Sequence, residues 1–259
     1  MGHDPKRNPL YKALYLRVAS ILFFFTVWFS AATIVQNEVL PGPIEVFSFM
    51  IGEIKSGELL YHLSLTLMRV AAAFLLAMLL GSAIGIYVGQ NRIADNLADP
   101  WIILFLNMPA LVIIILAYVW IGLTEVAAIV AVSINKIPNV IITLREGTRA
   151  LETEYQDMAK VYNFSRHAMM RHVVLPQLYP YIAVSARSGL SLIWKIVLVV
   201  ELLGRSNGVG FQIHLYFQLF DVKAILGYTL AFVIVILLIE FLLVQPIEER
   251  ANRWRPKPV

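Results

Sequence analysis

The chain has 259 residues, of which 59% are hydrophobic, 15% charged and 12% aromatic. A soluble domain carries ~25% charged residues, so this chain lacks the polar side chains that would coat a water-facing surface, and its mean hydropathy is +0.73. These values exclude a soluble enzyme, a DNA-binding module and a disordered chain. The absence of cysteine excludes disulfides, thiolate catalysis and cysteine-ligated metal centres.

Six apolar runs are long enough to cross the hydrocarbon core of a bilayer as helices, which takes ~20 residues. They lie near residues 16–35, 63–89, 101–121, 126–144, 182–203 and 224–244. Runs such as 232–238 do not alternate in polarity as barrel strands do. We therefore predict an all-α integral membrane protein with about six spans, in which residues 1–259 form a single transmembrane domain.

The first run has two interpretations. It follows four basic residues and contains Ser30-Ala31-Ala32, as a cleaved signal peptide would. However, the run is long for the apolar core of a signal peptide, and five further runs follow it. An uncleaved first span is favoured over cleavage.

The basic residues are distributed unevenly across the predicted spans. With the N-terminus in the cytoplasm, the inner segments hold 14 of the 21 lysines and arginines, and the outer segments hold only three. This asymmetry follows the positive-inside rule. It predicts a multi-pass protein with both termini in the cytoplasm, and it accounts for the formal charge of +4 without a nucleic-acid partner.

The long inner connection, residues 145–181, begins with the pattern of a short amphipathic helix. Met158, Val161 and Tyr162 recur at i, i+3 and i+4, which places them on one face. Acidic side chains lie early in the segment, where they complement the helix dipole. We therefore predict a helix over 154–162.

A turn and a second short helix are predicted to follow. After glycine, asparagine best tolerates the left-handed conformation that ends a helix, and Asn163 occupies that position. Ser165 can cap a second helix over 166–174, which Leu175-Pro176 would stop. The two helices would lie between the fourth and fifth spans, on the side that has access to ATP.

This connection resembles the cytoplasmic loop of the inner-membrane permeases of binding-protein-dependent ABC importers. In that family, a Glu-Ala-Ala-like start precedes a glycine turn and an apolar-x-Leu-Pro ending. Here Asp157-Met158-Ala159 resembles the start, Asn163 takes the place of the glycine, and Val173-Val174-Leu175-Pro176 resembles the ending.

Further segments resemble the branch of this family that includes permeases for sulfonates, taurine, nitrate and bicarbonate. In chain order they are Leu40-Pro41-Gly42-Pro43, residues 62–70, Pro109 with Trp120-Ile121-Gly122, and the set of Arg187, Trp194 and Glu201. The resemblance thus covers nearly the whole chain in the expected order.

The resemblance implies the transmembrane subunit of a type I ABC importer in a bacterial inner membrane, moving a small, anionic solute inward. Two permease copies would form the pore, and an extracytoplasmic binding protein would deliver the solute. ATP and Mg²⁺ would be held by two separate ATPase subunits, so no cofactor, metal or catalytic site is expected on this chain. The residues expected to couple the ATPase to the pore, within 154–176, are Glu154, Asp157, Met158, Ala159, Tyr162, Asn163, Phe164, Ser165, Arg166, Leu175 and Pro176.

Charged and polar side chains within the fifth span mark a candidate translocation pathway. Arg187, Ser191 and Lys195 recur at i, i+4 and i+8 on one helix face, where they could attract an anion. Glu201 lies further along the same span. Alternatively, Arg187 extends to the inner membrane surface. Lipid exposure of Lys195 would cost ~2.5–3.5 kcal/mol, which favours a pore-facing position.

Two other kinds of protein remain as alternatives. An ion-coupled secondary transporter would use Lys136, Lys195, Glu201 and Glu240, although no internal repeat is visible. A membrane enzyme would need a nucleophile or a metal cluster, and the five histidines form no such motif. The sequence also lacks a P-loop, so ATP would have to be bound by another chain.

Several packing features are predicted as well. Gly81, Gly85 and Gly89 form a face for close helix packing, either within one subunit or between two. Pro109 and Pro138 are expected to interrupt and kink the third and fourth spans. On the outer side, residues 44–54 form a short amphipathic helix, and the glycine-rich segment 204–210 forms a tight turn.

Overall fold

The computed structural model describes residues 9–35 and 39–246, and this part of the chain is helical almost throughout. The helices are α1 (Pro9–Val35), α2 (Pro43–Ser56), α3 (Glu58–Gln90), α4 (Arg92–Asn107), α5 (Ala110–Ile121), α6 (Glu125–Arg149), α7 (Thr153–Val161), α8 (Arg166–Met169), α9 (Leu175–Gly204), α10 (Val209–Gln218) and α11 (Val222–Ile239). Two π-helical turns, Met170–Val174 and Glu240–Val244, follow α8 and α11. The described ranges contain no β-strand, which confirms the predicted all-α class.

Within the described ranges, five helical stretches are long and apolar enough to cross a membrane. They are Val18–Val35, Glu58–Gln90, Glu125–Arg149, Arg166–Gly204 and Val222–Val244. The consecutive helices α4 and α5 also pass this test as a pair. The structure thus provides five candidate spans, or six if that bent pair is one span.

The segment predicted as a third span over 101–121 is not one straight helix. α4 and α5 are bent by 99° at the break between them. Met108 is extended, with φ −73° and ψ 126°, and Pro109 precedes the first residue of α5. Proline cannot donate a helical hydrogen bond and disfavours helical backbone at the residue before it, which explains the break.

Contacts divide the chain into two compact units. One unit contains the described residues up to Leu60 together with Ile213–Ala231. The other contains Tyr61–Gln212 and the described residues from Phe232 onward. The prediction of a single transmembrane domain stays a prediction.

In the smaller unit, α2 confirms the amphipathic helix expected over 44–54. Its buried residues, Pro43, Val46 and Met50, recur at helical spacing, and Gly57 ends the helix with φ +86°. The ring of Phe49 packs against Gly227, where an added Cβ would lie 2.6 Å from the ring. Small and large residues therefore interlock along this contact.

In the larger unit, the glycine face of α3 packs against α6 of the same chain. An added Cβ at Gly85 would lie 2.7 Å from the carbonyl oxygen of Ile141, and one at Gly89 would lie 2.7 Å from the Cβ of Thr148. Gly81 faces α6 in the same way. The structure therefore decides the open question: this seam lies within one subunit, and its backbones approach closely because the side chains are absent.

The helix that begins after Ser165 does not stop at Leu175-Pro176 as predicted. α8 passes through the π-helical turn Met170–Val174 directly into α9, so the chain is helical from Arg166 to Gly204. The turn is closed by the Leu175 N–H, which donates to the Met170 carbonyl. A π-helical turn shifts the hydrogen-bond register by one residue, which accommodates a proline that has no N–H to donate.

Candidate functional site

The helix α7 ends in a tightly hydrogen-bonded turn. Asn163 has φ +51°, in the left-handed region. Its N–H donates to the Lys160 carbonyl at 3.0 Å, and the Phe164 N–H donates to the Ala159 carbonyl at 2.9 Å. These two bonds form a Schellman motif. The prediction that Asn163 ends the helix in this conformation is confirmed.

The next helix begins with a side-chain cap. Ser165 is extended, and its hydroxyl oxygen accepts a hydrogen bond from the Ala168 N–H at 3.2 Å. This confirms the predicted cap. The backbone between α7 and α8 is therefore fixed by hydrogen bonds on both sides of a four-residue turn.

Apolar side chains project from α7 and its turn into solvent. Five of them, which we call the α7 surface, are between 40% and 78% exposed: Tyr155, Met158, Val161, Tyr162 and Phe164. Ala159, between them on α7, is completely buried. An exposed apolar patch of this kind marks an interaction site.

The base of α7 is attached to two long helices. Leu151 belongs to a buried cluster with Val140 and Leu144 of α6 and with Leu178 of α9. The backbone N–H of Glu152 donates to the side chain of Gln177 in α9 at 3.1 Å. The base of α7 is therefore held by both α6 and α9.

The predicted coupling residues therefore lie in one region but differ in accessibility. Apart from Ala159, all of them are exposed; these are Glu154, Asp157, Met158, Tyr162, Asn163, Phe164, Ser165, Arg166, Leu175 and Pro176. Leu175 and Pro176 lie on the continuous helix that leads into α9, not at the end of a separate helix.

A cluster of charged side chains joins α3, α6 and α9 at the start of α6. Arg69 donates to Glu125 through Nε at 2.8 Å and through Nη2 at 2.7 Å. Its Nη1 donates to Glu201 at 2.6 Å. Arg205 donates to Glu125 as well, at 2.5 Å, so two arginines balance two glutamates.

The carboxylate of Glu201 is fully enclosed by this cluster. Its second oxygen accepts hydrogen bonds from Thr66 at 3.0 Å and from the Gly210 N–H at 2.8 Å. Gly208 has φ +107°, and a side chain there would overlap the carboxylate. The turn predicted from the glycine-rich segment 204–210 is present, and it closes over Glu201.

Glu201 therefore has surroundings different from those of the other candidate pathway residues. Its side chain is 0% exposed, whereas Arg187, Ser191 and Lys195 all lie on the exposed face of α9. The sequence analysis did not find the partners of Glu201. Arg69 could have indicated the partner of Glu201, because it is a charge inside a predicted span and such a charge requires a partner.

The exposed face of α9 borders a cleft of about 410 Å³. It is lined by Val184, Arg187, Ser188, Ser191 and Glu240. The guanidinium of Arg187 lies 3.2 Å from the Glu240 carboxylate, so these two charges form an ion pair. Lys195 lies one turn beyond Ser191 on the same exposed face but does not line the cleft.

Behind this cleft, Lys136 of α6 reaches toward α9. Its side chain is only 2% exposed. The ammonium lies 3.4 Å from the hydroxyl of Ser188, and the stem of the side chain passes over Gly189. The sequence marked Lys136 as an intramembrane charge, but its partner became visible only when α6 and α9 were packed together.

The family model described as "Binding-protein-dependent transport system inner membrane component" matches residues 73–245 of the chain. The putative aliphatic sulfonates transport permease protein SsuC of Bacillus subtilis (strain 168) is 30% identical over 222 residues, which are 86% of this chain and 80% of that protein. The bicarbonate transport system permease protein CmpB of Synechococcus elongatus is 31% identical over 219 residues, which are 77% of this chain and 76% of the relative.

The fold is similar to that of a solved transporter. A chain from the crystal structure of an amino acid ABC transporter with histidines has a TM-score of 0.63 and 18% identity, covering 78% of this chain and 98% of that one. At this level of identity the likeness concerns the fold. The likeness confirms the predicted all-α membrane-protein fold, which this chain shares with that transporter chain.

Proposed function

The chain belongs to the family of binding-protein-dependent transport system inner membrane components, and we propose that it couples ATP hydrolysis on separate subunits to inward movement of a small anionic solute. The family resemblance expected from the motifs is confirmed. The chain is a multi-pass permease subunit of an ABC importer, and this membership favours that function over an ion-coupled secondary transporter. Membership also implies an ATPase and a solute-binding protein as partners.

The α7 surface is the proposed contact with the ATPase. Its apolar side chains would lie in a groove of the ATPase, while Ala159 and Leu151 hold α7 against the rest of the chain. A short helix fixed at its base and at its tip by hydrogen bonds can transmit a displacement, because it has no soft segment that would absorb the motion. This anchoring of an exposed apolar helix is the observation that carries the proposal.

The remaining parts of the proposal concern assembly. Two copies of the chain would form the pore, each contributing the polar face of α9, and both termini would lie in the cytoplasm with α7. ATP and Mg²⁺ would be bound by the partner ATPase, and this chain would carry no catalytic site or cofactor. No nucleic acid takes part.

The anionic nature of the solute is supported by two observations. The relatives carry names that specify aliphatic sulfonates and bicarbonate, which are anions. The exposed face of α9 presents Arg187, Ser191 and Lys195. Arg187 is balanced by Glu240, so Lys195 provides the net positive charge of this face. We propose that these three residues line the translocation pathway and that Glu201 holds the surrounding helices in place.

The coupling proposal is tested in proteoliposomes that contain the permease, its ATPase and its binding protein. Met158→Glu places a charge in the middle of the α7 surface. We expect ATPase stimulation by the binding protein to fall at least tenfold, and ATP-driven uptake to fall with it, because the apolar contact cannot bury a carboxylate.

Lys160→Glu is the matched control, since Lys160 is exposed on the polar side of the same helix and forms an ion pair with Asp157 at 2.8 Å. An exposed pair of this kind contributes ~0–1 kcal/mol, so coupling is expected to change by less than a factor of two. Normal stimulation in the Met158→Glu variant, or uptake that needs no ATPase, would contradict the proposed function.

A further inference from the structure

The side chain of Lys136 is a buried cation whose partner is a single neutral group. Its ammonium lies 3.4 Å from the hydroxyl of Ser188. Among the residues that the structure describes, no carboxylate lies within 4.0 Å of this ammonium. A charge in a membrane span is costly unless it is paired, and charges of this kind mark substrate and ion pathways.

The packing of α6 against α9 directs this ammonium toward the exposed face of α9. Gly189 provides the passage: an added Cβ there would lie 2.6 Å from Cε of Lys136. The side chain can therefore lie flat across α9 and end at Ser188, which lines the cleft of about 410 Å³. Any larger residue at position 189 would push the ammonium away from the cleft.

The other charges of this cleft compensate each other. Arg187 and Glu240 form an ion pair at 3.2 Å, so together they contribute no net charge. The ammonium of Lys136 lies on the far side of Ser188 from the cleft. Ser191, about one turn further along α9, is exposed and carries a second hydroxyl. Among the described residues, one uncompensated positive charge therefore lies directly behind the cleft, and two hydroxyl-bearing residues line it.

We infer that Lys136 and Ser188 form a binding site for one singly charged oxyanion group of the transported solute, a sulfonate, carboxylate or bicarbonate. This inference rests on the proposed function and assigns its substrate class to particular atoms. One ammonium matches one negative charge, and its N–H groups can donate to the oxygens of the bound group. The hydroxyls of Ser188 and Ser191 donate to the Ser185 and Ser188 carbonyls at 3.2 and 3.0 Å, so each would rotate away from its carbonyl to donate to the solute. A doubly charged anion would leave one charge unpaired in a membrane span.

The test uses the purified complex of the full-length permease with its ATPase, in lipid nanodiscs without nucleotide. The binding protein is left out, so that its own selectivity does not enter. The unfolding midpoint of the permease is measured while sodium ethanesulfonate is titrated against sodium chloride at constant ionic strength. We expect a saturable rise in the midpoint, because a ligand that binds only the folded state stabilises it.

Lys136→Met is the decisive variant, since methionine has a similar shape and no charge. We expect the apparent Kd for ethanesulfonate to rise at least tenfold. We also expect the anion-free complex to be at least as stable as the wild type, because replacing a buried uncompensated charge with an apolar group is neutral or stabilising. Ser188→Ala should raise the apparent Kd about threefold. Lys55→Met, which removes an exposed lysine of α2, should leave it unchanged.

Three outcomes would overturn the inference. The first is a wild-type midpoint that ethanesulfonate does not change, and the second is an unchanged apparent Kd in Lys136→Met. The third is a clear loss of stability in anion-free Lys136→Met, which would mean that Lys136 pairs with a carboxylate of a second permease copy. Failure of this inference can be distinguished from failure of the proposed function. The coupling assay depends on ATP and on the α7 surface, whereas the anion-binding assay uses neither.

Discussion

The guanidinium of Arg69 and the carboxylate of Glu201 lie 2.6 Å apart, with 1% and 0% of the two side chains exposed. They connect α3 to α9, and Arg69 also binds Glu125 at the start of α6. The coupling segment is attached to the other end of α6 and to the start of α9. α6 and α9 are therefore each held at two distant points. Under the proposed function, a displacement of α7 would move them as whole helices.

Removal of the arginine from this cluster should destabilise the protein strongly. Arg69→Met leaves Glu201 buried without its cation, and breaking a buried pair in this way costs ~3–5 kcal/mol. The free energy of unfolding in detergent micelles measures the effect. Arg92→Met, at an exposed arginine that begins α4, is the control and should change stability by less than ~0.5 kcal/mol. Equal losses in both variants would show that the cluster has no structural role.

The glycine seam between α3 and α6 gives a prediction with an internal control. An added Cβ at Gly85 would lie 2.7 Å from the Ile141 carbonyl, so Gly85→Ala forces the two helices apart and should cost ~1–3 kcal/mol. Gly52 of α2 has no atom within 4 Å of an added Cβ. Gly52→Ala should therefore stabilise the chain by ~0.5–1 kcal/mol. Thermal unfolding compares the two variants, and a neutral Gly85→Ala would refute close packing at this seam.

Substitutions at Asn163, in the turn after α7, should differ in effect according to how easily each residue adopts a positive φ. Asn163 has φ +51°, which glycine adopts without strain but which costs a residue with a Cβ ~1–2 kcal/mol. Asn163→Gly should keep full coupling between ATP hydrolysis and uptake. Asn163→Val should loosen the turn and lower the number of solute molecules imported per ATP. Equal transport by both variants would show that the Schellman turn is not needed for coupling.

The anchor of α7 can be weakened without changing its exposed surface. Leu151→Ala leaves a cavity in the cluster formed with Val140, Leu144, Val174 and Leu178, and such a substitution costs ~2–5 kcal/mol. Gln177→Ala removes only the hydrogen bond to Glu152, worth ~0.5–1.5 kcal/mol. We expect both variants to bind the ATPase with normal affinity but to import less solute per ATP, with the larger loss in Leu151→Ala. A pull-down and a coupled uptake assay separate the two properties. Reduced ATPase binding by either variant would contradict the idea that the α7 surface binds the ATPase while its base transmits the motion.

The local features of the coupling segment were predictable because they depend on a few neighbouring residues. Asn163 ends α7, and Ser165 caps the next helix, as the sequence indicates. The error at Pro176 has a local cause as well. A proline normally ends a helix because it has no N–H to donate. Here the π-helical turn Met170–Val174 precedes Pro176 and shifts the hydrogen-bond register, so the helix continues without that bond.

The sequence by itself determined the class of the protein, because composition and the length of apolar runs specify a helical membrane protein. It also determined the C-terminal end of α7, through the backbone preference of Asn163. Only the tertiary structure decided which charges are paired and which are not. Arg69 and Glu201 are 132 positions apart, and Lys136 and Ser188 are 52 apart. No local preference encodes such contacts, since they exist only after the glycine seam and the α6–α9 packing have brought distant helix faces together.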